Sequence, residues 1–184
     1  MKAIHATIGG LLLTGVLALA SCEPPTPVQL PEIPLATVMP YFGEAAEVQA
    51  IDTSFYQIKN DEGTVIGTLL YSMPYSASVS GYNGTTPLLI AIDAEGRIKE
   101  VVMQDHRETP RFAQRVEESG LFKAWNGLTV DEALAKQVDA VSGATFTSEG
   151  VKNTLAVRLE AYQRQLAKDR SAEKPSFWQR LFKK

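Results

Sequence analysis

The chemistry-bearing stretch of this chain is Asp139-Ala140-Val141-Ser142-Gly143-Ala144-Thr145-Phe146-Thr147-Ser148. Hydroxyls at 142, 145, 147 and 148 surround Gly143 and Ala144, two small residues that let another molecule approach the backbone closely. An amphipathic pattern follows at once, which predicts a helix starting near Thr147 or Ser148. The free N–H groups and positive dipole end of such a helix would face whatever sits at Thr145, and they suit a phosphate. Glu149 is the ordinary dipole partner of that first turn. The spacing is not a P-loop, because no GxxxxGK[ST] occurs. A Ser/Thr-rich N-cap and turn has the same composition, so the residues by themselves leave both readings open.

Other reactive side chains are few. His106, in Asp105-His106-Arg107-Glu108, has no partners at metal-ligand spacing and no nucleophile signature for a triad. It reads as a loop histidine. Arg107, Arg111 and Arg115 step by four and would share a helix face, either solvated or turned to an anionic partner. One cysteine excludes a disulfide framework, an iron–sulfur cluster and a haem attachment, and two histidines leave no material for a metal site. No catalytic residue and no metal ligand is assigned. A formal net charge of −3 argues against a general nucleic-acid binder.

The elements that must position this stretch are legible in the patterning. At 184 residues, 45% hydrophobic and 21% charged, the chain is one globular domain with tails. Strand patterns at 55–59 and 64–72 flank the turn Asn60-Asp61-Glu62-Gly63, and strands at 87–93 and 97–104 flank Ala94-Glu95-Gly96. A helix is expected over 111–119 after Pro110, and Thr129 would cap another through Ala135. Trp125 reads as an aromatic core anchor before a turn. Val151, Leu155, Leu159, Tyr162 and Leu166 step by 4, 4, 3 and 4, one face of a helix. Two hairpins followed by helices predict an α+β single domain with a largely antiparallel sheet and a long C-terminal helix.

Asp139-Ala140-Val141-Ser142-Gly143-Ala144-Thr145 resembles the flavinylation motif D-x-x-[ST]-G-A-[TS] of FMN-binding domains, found in the C subunit of the sodium-pumping NADH:quinone oxidoreductase and the G subunit of the Rnf complex. Five fixed positions at ~1 in 20 each would coincide in only about one window in millions. Gly81-Tyr82-Asn83-Gly84-Thr85-Thr86-Pro87 and Glu108-Thr109-Pro110 are similar to two further family blocks, in the family's order. The resemblance spans residues 63–162. It implies that Thr145 carries FMN through a phosphoester, that Ser142, Gly143 and Ala144 shape the loop around the ester, and that a flavin transferase reads Asp139 through its magnesium. It places Glu108 and Thr109 near the isoalloxazine or ribityl chain, and Tyr82 and Gly84 along the same cavity. Arg111 stands where the family often has glycine. The implied activity is electron transfer between membrane donors and acceptors, a carrier or redox-complex subunit more than a stand-alone enzyme. A flavin-dependent reductase of an external acceptor is the alternative, and an unmodified structural or ligand-binding lipoprotein is a third.

The ends differ from the body. Residues 1–21 read as a signal peptide, with an apolar core too short to span a membrane. Leu19-Ala20-Ser21-Cys22 resembles a lipobox, whose cysteine is lipidated. Six of the eighteen residues 23–40 are proline, which favours a stiff polyproline II spacer, so 22–40 is expected to tether a domain over 41–170. Residues 163–184 hold seven Lys/Arg and two acids, net +5, whereas 22–162 hold ten and nineteen, net −9. Within the tail 171–184, Phe177 with Leu181 and Trp178 with Phe182 are i,i+4 pairs beside cations, which fits either an interfacial membrane contact or a solvated basic tail. The expected location is extracytoplasmic and lipid-anchored, on the periplasmic side in a Gram-negative cell.

Overall fold

Apolar residues on alternate positions of successive strands need cover on both faces, and helices on one side with a chain segment on the other supply it. The computed structural model describes residues 30–173. In chain order the elements are α1 (Leu35–Val38), β1 (Glu47–Ala50), β2 (Phe55–Lys59), β3 (Val65–Tyr71), β4 (Leu88–Asp93), β5 (Ile98–Met103), α2 (Pro110–Glu118), a 3-10 turn (Leu121–Trp125), α3 (Val130–Ala135) and α4 (Thr145–Glu173). The five strands form one antiparallel sheet in the order β1-β2-β3-β4-β5. The fold is therefore α+β with a long C-terminal helix.

Strand β4 is almost wholly buried, and its continuous apolar run reflects cover on both faces. Leu88, Ile90 and Ile92 point to the helical side, where Phe55, Leu70, Ile98 and Val101 meet Val116, Trp125, Val151, Leu155, Leu159 and Tyr162. Leu89 and Ala91 point to the other side, with Tyr56, Ile58, Leu69, Val38 and Phe42. Phe42 lies so close over β3 that a Cβ on Gly67 would collide with its ring, so only glycine admits that packing. The helix periodicity of 151–166 is the core-facing stripe of α4, with Phe55 meeting Tyr162 edge-on at 5.5 Å.

Three local features differ from expectation. Helix α4 starts at Thr145, two residues before Thr147, because the turn preceding it closes at Ala144. The Pro-rich stretch is helical over Leu35–Val38, and Val38 is buried against the back of the sheet. An additional edge strand, β1, pairs with β2; its exposed, mixed sequence carries no strand pattern. Thr129 does cap α3, in a capping box with Glu132. The Glu132 carboxyl is held below the usual range by hydrogen bonds from Thr129.

A buried arginine fixes α4 across the sheet. Arg158 Nε donates to the Tyr71 carbonyl (2.7 Å) and Nη2 to the Ser54 carbonyl (3.2 Å), while the guanidinium lies 4.7 Å from the Tyr75 ring. Burial pushes its pKa down, opposed by the charges of Tyr75, Asp52 and Tyr162. No helix among the described residues is long and apolar enough to cross a membrane. Cys22, the expected signal peptide and the tail beyond Glu173 lie outside the described residues.

Candidate functional site

The Ser/Gly/Ala/Thr stretch folds as a tight turn feeding a helix. The Ala144 N–H donates to the Val141 carbonyl (2.9 Å), and Gly143 takes φ +74°, a left-handed conformation that favours glycine. Ser148 ties the turn to the helix: its Oγ accepts from the Val141 N–H and donates to the Thr145 carbonyl, each at 2.9 Å. The first helical bond runs from the Ser148 N–H to the Ala144 carbonyl. The amides of Thr145, Phe146 and Thr147 precede it and point out of the helix end. Thr145 is exposed, whereas Ala144, Thr147 and Ser148 are buried.

A second loop lies alongside. Residues 81–87 dock on the first turns of α4 by glycine-to-glycine contact: a Cβ on Gly150 would stand 2.6 Å from the Gly81 Cα. The hydroxyls of Thr86 and Thr154 share a buried hydrogen bond at 3.2 Å. Glu108 locks the arrangement from below. Its Oε1 accepts from the Asn83 N–H (2.9 Å) and its Oε2 from the Thr147 hydroxyl (2.6 Å), with the side chain 4% exposed. Both partners donate to it, so the carboxylate ties the loop to the helix. His106 serves this loop locally, its Nδ1 accepting from the Glu108 N–H at 3.1 Å.

Between the two loops is an open cleft of about 190 Å³, lined by Tyr82, Phe112, Gly143, Ala144, Thr145, Phe146 and Thr147. Tyr82 meets Phe112 edge-on at 4.9 Å, and its ring lies 6.5 Å from that of Phe146, tilted by 40°. Tyr82 and Phe146 are 57% and 70% exposed, unusual for aromatic rings, which lose contact with water at a gain of a few kcal/mol when covered. Thr145 and a trio of aromatic residues thus line one cleft at the start of α4, where three amides have no intrahelical acceptor. A second cleft, of about 270 Å³ between α3 and α4, lies elsewhere and has no such convergence.

The structure brings four of the expected site residues to the cleft: Thr145, Gly143, Ala144 and Tyr82. Ser142 is exposed in the turn, and Asp139 is exposed three residues before it. Gly84 does not line the cleft; its carbonyl accepts from the Gly81 N–H (2.7 Å) and closes the 81–84 loop at φ +141°. Glu108 stands behind the cleft wall. Thr109 occupies the N-cap position of α2 without a side-chain cap bond. Sequence reasoning assigned no site role to Phe112, Phe146, Asn83, Thr147 or Gly150. Thr147 was visible as one hydroxyl of the motif stretch, Asn83 as part of the 81–87 block and Gly150 as a glycine inside a strong helical pattern, whereas Phe112 and Phe146 carried no signal.

These residues fit a flat aromatic ring system with a phosphate at its tail. The rings of Tyr82, Phe112 and Phe146 offer apolar faces, and the helix end offers donors to an anion. Comparison with known proteins agrees. Residues 81–160 match the FMN-binding domain family. The chain is 34% identical over 107 residues to the G subunit of the ion-translocating oxidoreductase complex of Stutzerimonas stutzeri, covering 52% of this chain and 47% of that protein. It is 33% identical over 91 residues to the G subunit of the proton-translocating ferredoxin:NAD(+) oxidoreductase complex of Clostridium ljungdahlii, covering 46% and 48%. It is 30% identical over 86 residues to the G subunit of the ion-translocating oxidoreductase complex of Shewanella piezotolerans, 41% of each. The chain thus spans less than half the length of the curated relatives it matches. Over residues 81–160 it is similar to the FMN-binding domain of such subunits.

Proposed function

We propose that this FMN-binding domain holds its flavin covalently, as a phosphoester on Thr145, and passes electrons between redox partners at a membrane outside the cytoplasm. The observation that carries the proposal is Thr145 itself, an exposed hydroxyl at the first position of α4 and on the wall of an aromatic cleft. FMN supplies the redox chemistry when bound, and the protein supplies position and electrostatics. Tyr82, Phe112 and Phe146 would hold the ring. The outward amides of α4 would take the ester phosphate, which keeps about one negative charge at a positive helix end. Glu108, through Asn83 and Thr147, keeps the two walls at a fixed separation.

Attachment needs an activated donor, because joining free FMN to an alcohol would have to expel water. With a flavin dinucleotide, the Thr145 oxygen attacks the flavin-side phosphorus. The new O–P bond replaces the P–O bond to AMP, which leaves, and the hydroxyl proton passes to a base of the transferase. No electrons move. Asp139, exposed beside the turn, is available to that transferase and its magnesium.

A lipid on Cys22 would anchor the domain. Tethering to a surface raises the effective concentration of membrane donors and acceptors, so weak contacts suffice. The names of the relatives, subunits of ion-translocating oxidoreductases, are in keeping with such partners.

The test is in-gel fluorescence of the denatured protein from a host that has a flavin transferase. A fluorescent band that disappears in Thr145→Val is expected. A dark wild-type band from that host overturns the proposal. Reduction of the loaded protein by membrane vesicles without an organic acceptor is the outcome that separates a carrier from a reductase.

A further inference from the structure

We infer that Arg115 is the cation that pairs with the phosphate of the Thr145 ester and fixes where the flavin's tail enters the cleft. The inference rests on the covalent FMN reading above. Arg115 lies one turn before the end of α2 and reaches across to the turn before α4. A Cβ on Gly143 would collide with its Nη1, so the guanidinium is pressed against the backbone two residues before the acceptor threonine. Its one hydrogen bond there, to the Ser142 carbonyl, is long at 3.5 Å. Among the described residues no ion pair uses Arg115. Glu118, the nearest acid along its helix face, is engaged by the Gln114 amide at 2.7 Å. An exposed arginine without an acid, held against this loop, is placed for an anion that arrives with the cofactor.

The chemistry matches. A phosphodiester keeps two charged oxygens that share one negative charge. Guanidinium offers paired donors in a plane, so it can take one or both oxygens in a charge-assisted bond. The α4 amides approach from the other side. Arg111, one turn earlier, does something different. Its guanidinium lies 5.2 Å from the Phe112 ring and backs the aromatic wall. Glycine at 143 is then required twice, for its positive φ and for the room Arg115 takes.

The experiment loads purified unmodified protein with a flavin transferase and FAD, for wild type, Arg115→Gln and Arg115→Lys. Intact mass follows FMN incorporation over time, 31P NMR reports the ester in the loaded proteins, and the melting temperature of the unmodified forms monitors folding. Loss of one charge-assisted bond is expected to slow loading roughly tenfold in the Gln variant. Lysine should restore most of the rate. The Gln variant's phosphorus resonance should move toward that of the denatured protein, with melting unchanged. Wild-type loading and an unshifted resonance in Arg115→Gln would overturn the inference. So would equal losses in both variants with lowered melting, which marks a purely structural role. Wild type that takes up no FMN at all overturns the covalent reading, and this inference falls with it.

Discussion

Two of the places where helix α4 meets polar groups of the domain are built on opposite terms. At mid-helix, Arg158 is sealed in. Its donors end on the Tyr71 and Ser54 carbonyls, and its face rests on Tyr75. At the helix start, three amides point outward, Arg115 has no acid among the described residues, and Tyr82 and Phe146 stand in solvent. A buried polar group whose bonds are all made by the protein adds stability and leaves nothing for a ligand. Donors and rings left open contribute little to folding and await a partner. One end of the comparison should therefore answer to stability measurements and the other to flavin content.

The largest stability effect is expected from Arg158→Met. It takes the Arg158 donor from the Tyr71 carbonyl, at about 1–3 kcal/mol, and one of two donors from the Ser54 carbonyl, which keeps the Tyr71 N–H, at about 1 kcal/mol, so urea denaturation should show a loss of roughly 2–4 kcal/mol. Flavin per folded molecule should stay at the wild-type level. A drop in loading of the folded fraction would erase the distinction between the two places. Gly150→Ala should act at both. Its methyl group meets the Gly81 backbone, so overpacking costs about 1–3 kcal/mol and pushes the Tyr82 loop off the helix. Loading should fall with it, measured by intact mass.

Glu108→Gln sharpens the comparison at a smaller scale. The amide can accept from only one of Asn83 N–H and Thr147 hydroxyl, which costs about 1–2 kcal/mol. Altered near-ultraviolet circular dichroism from Tyr82 and Phe112 is the readout. Smallest is a pH effect at the buried end. Burial raises the Tyr162 phenol, opposed by a hydrogen bond with Thr68 and by Arg158. A raised folded pKa gives stability that is complete below the unfolded value near 10 and is lost as pH rises through the folded one. Tyr162→Phe should blunt the alkaline fall in melting temperature, and an unchanged alkaline limb would contradict this.

Much of the fold was legible because periodicity reports burial. β2 and the stripe from Val151 to Leu166 needed only alternation and helical stepping. Thr129 was legible as a cap because capping is local chemistry. β1 was not, since an edge strand of four mixed residues takes its order from β2 and carries no pattern of its own. The 3-10 turn at Leu121–Trp125 escaped for the same reason, although Trp125 was readable as core. At the site, the motif marks the turn that leads into α4 and puts Thr145, the proposed acceptor, beside it. What it could not convey is who stands opposite. Phe112 and Phe146 look like any helical aromatics until tertiary packing brings them to one cleft, and Glu108, which the resemblance sets near the flavin, stands beneath the loop as a tie between Asn83 and Thr147.

Peptide mapping by tandem mass spectrometry, on protein from cells that hold a flavin transferase, tests the central claim most directly. The account predicts that the peptide spanning Ser142 to Ser148 is heavier by one FMN less one water, with the added mass on Thr145. Recovery of that peptide unmodified, or with the flavin on Ser142, Thr147 or Ser148, would contradict it.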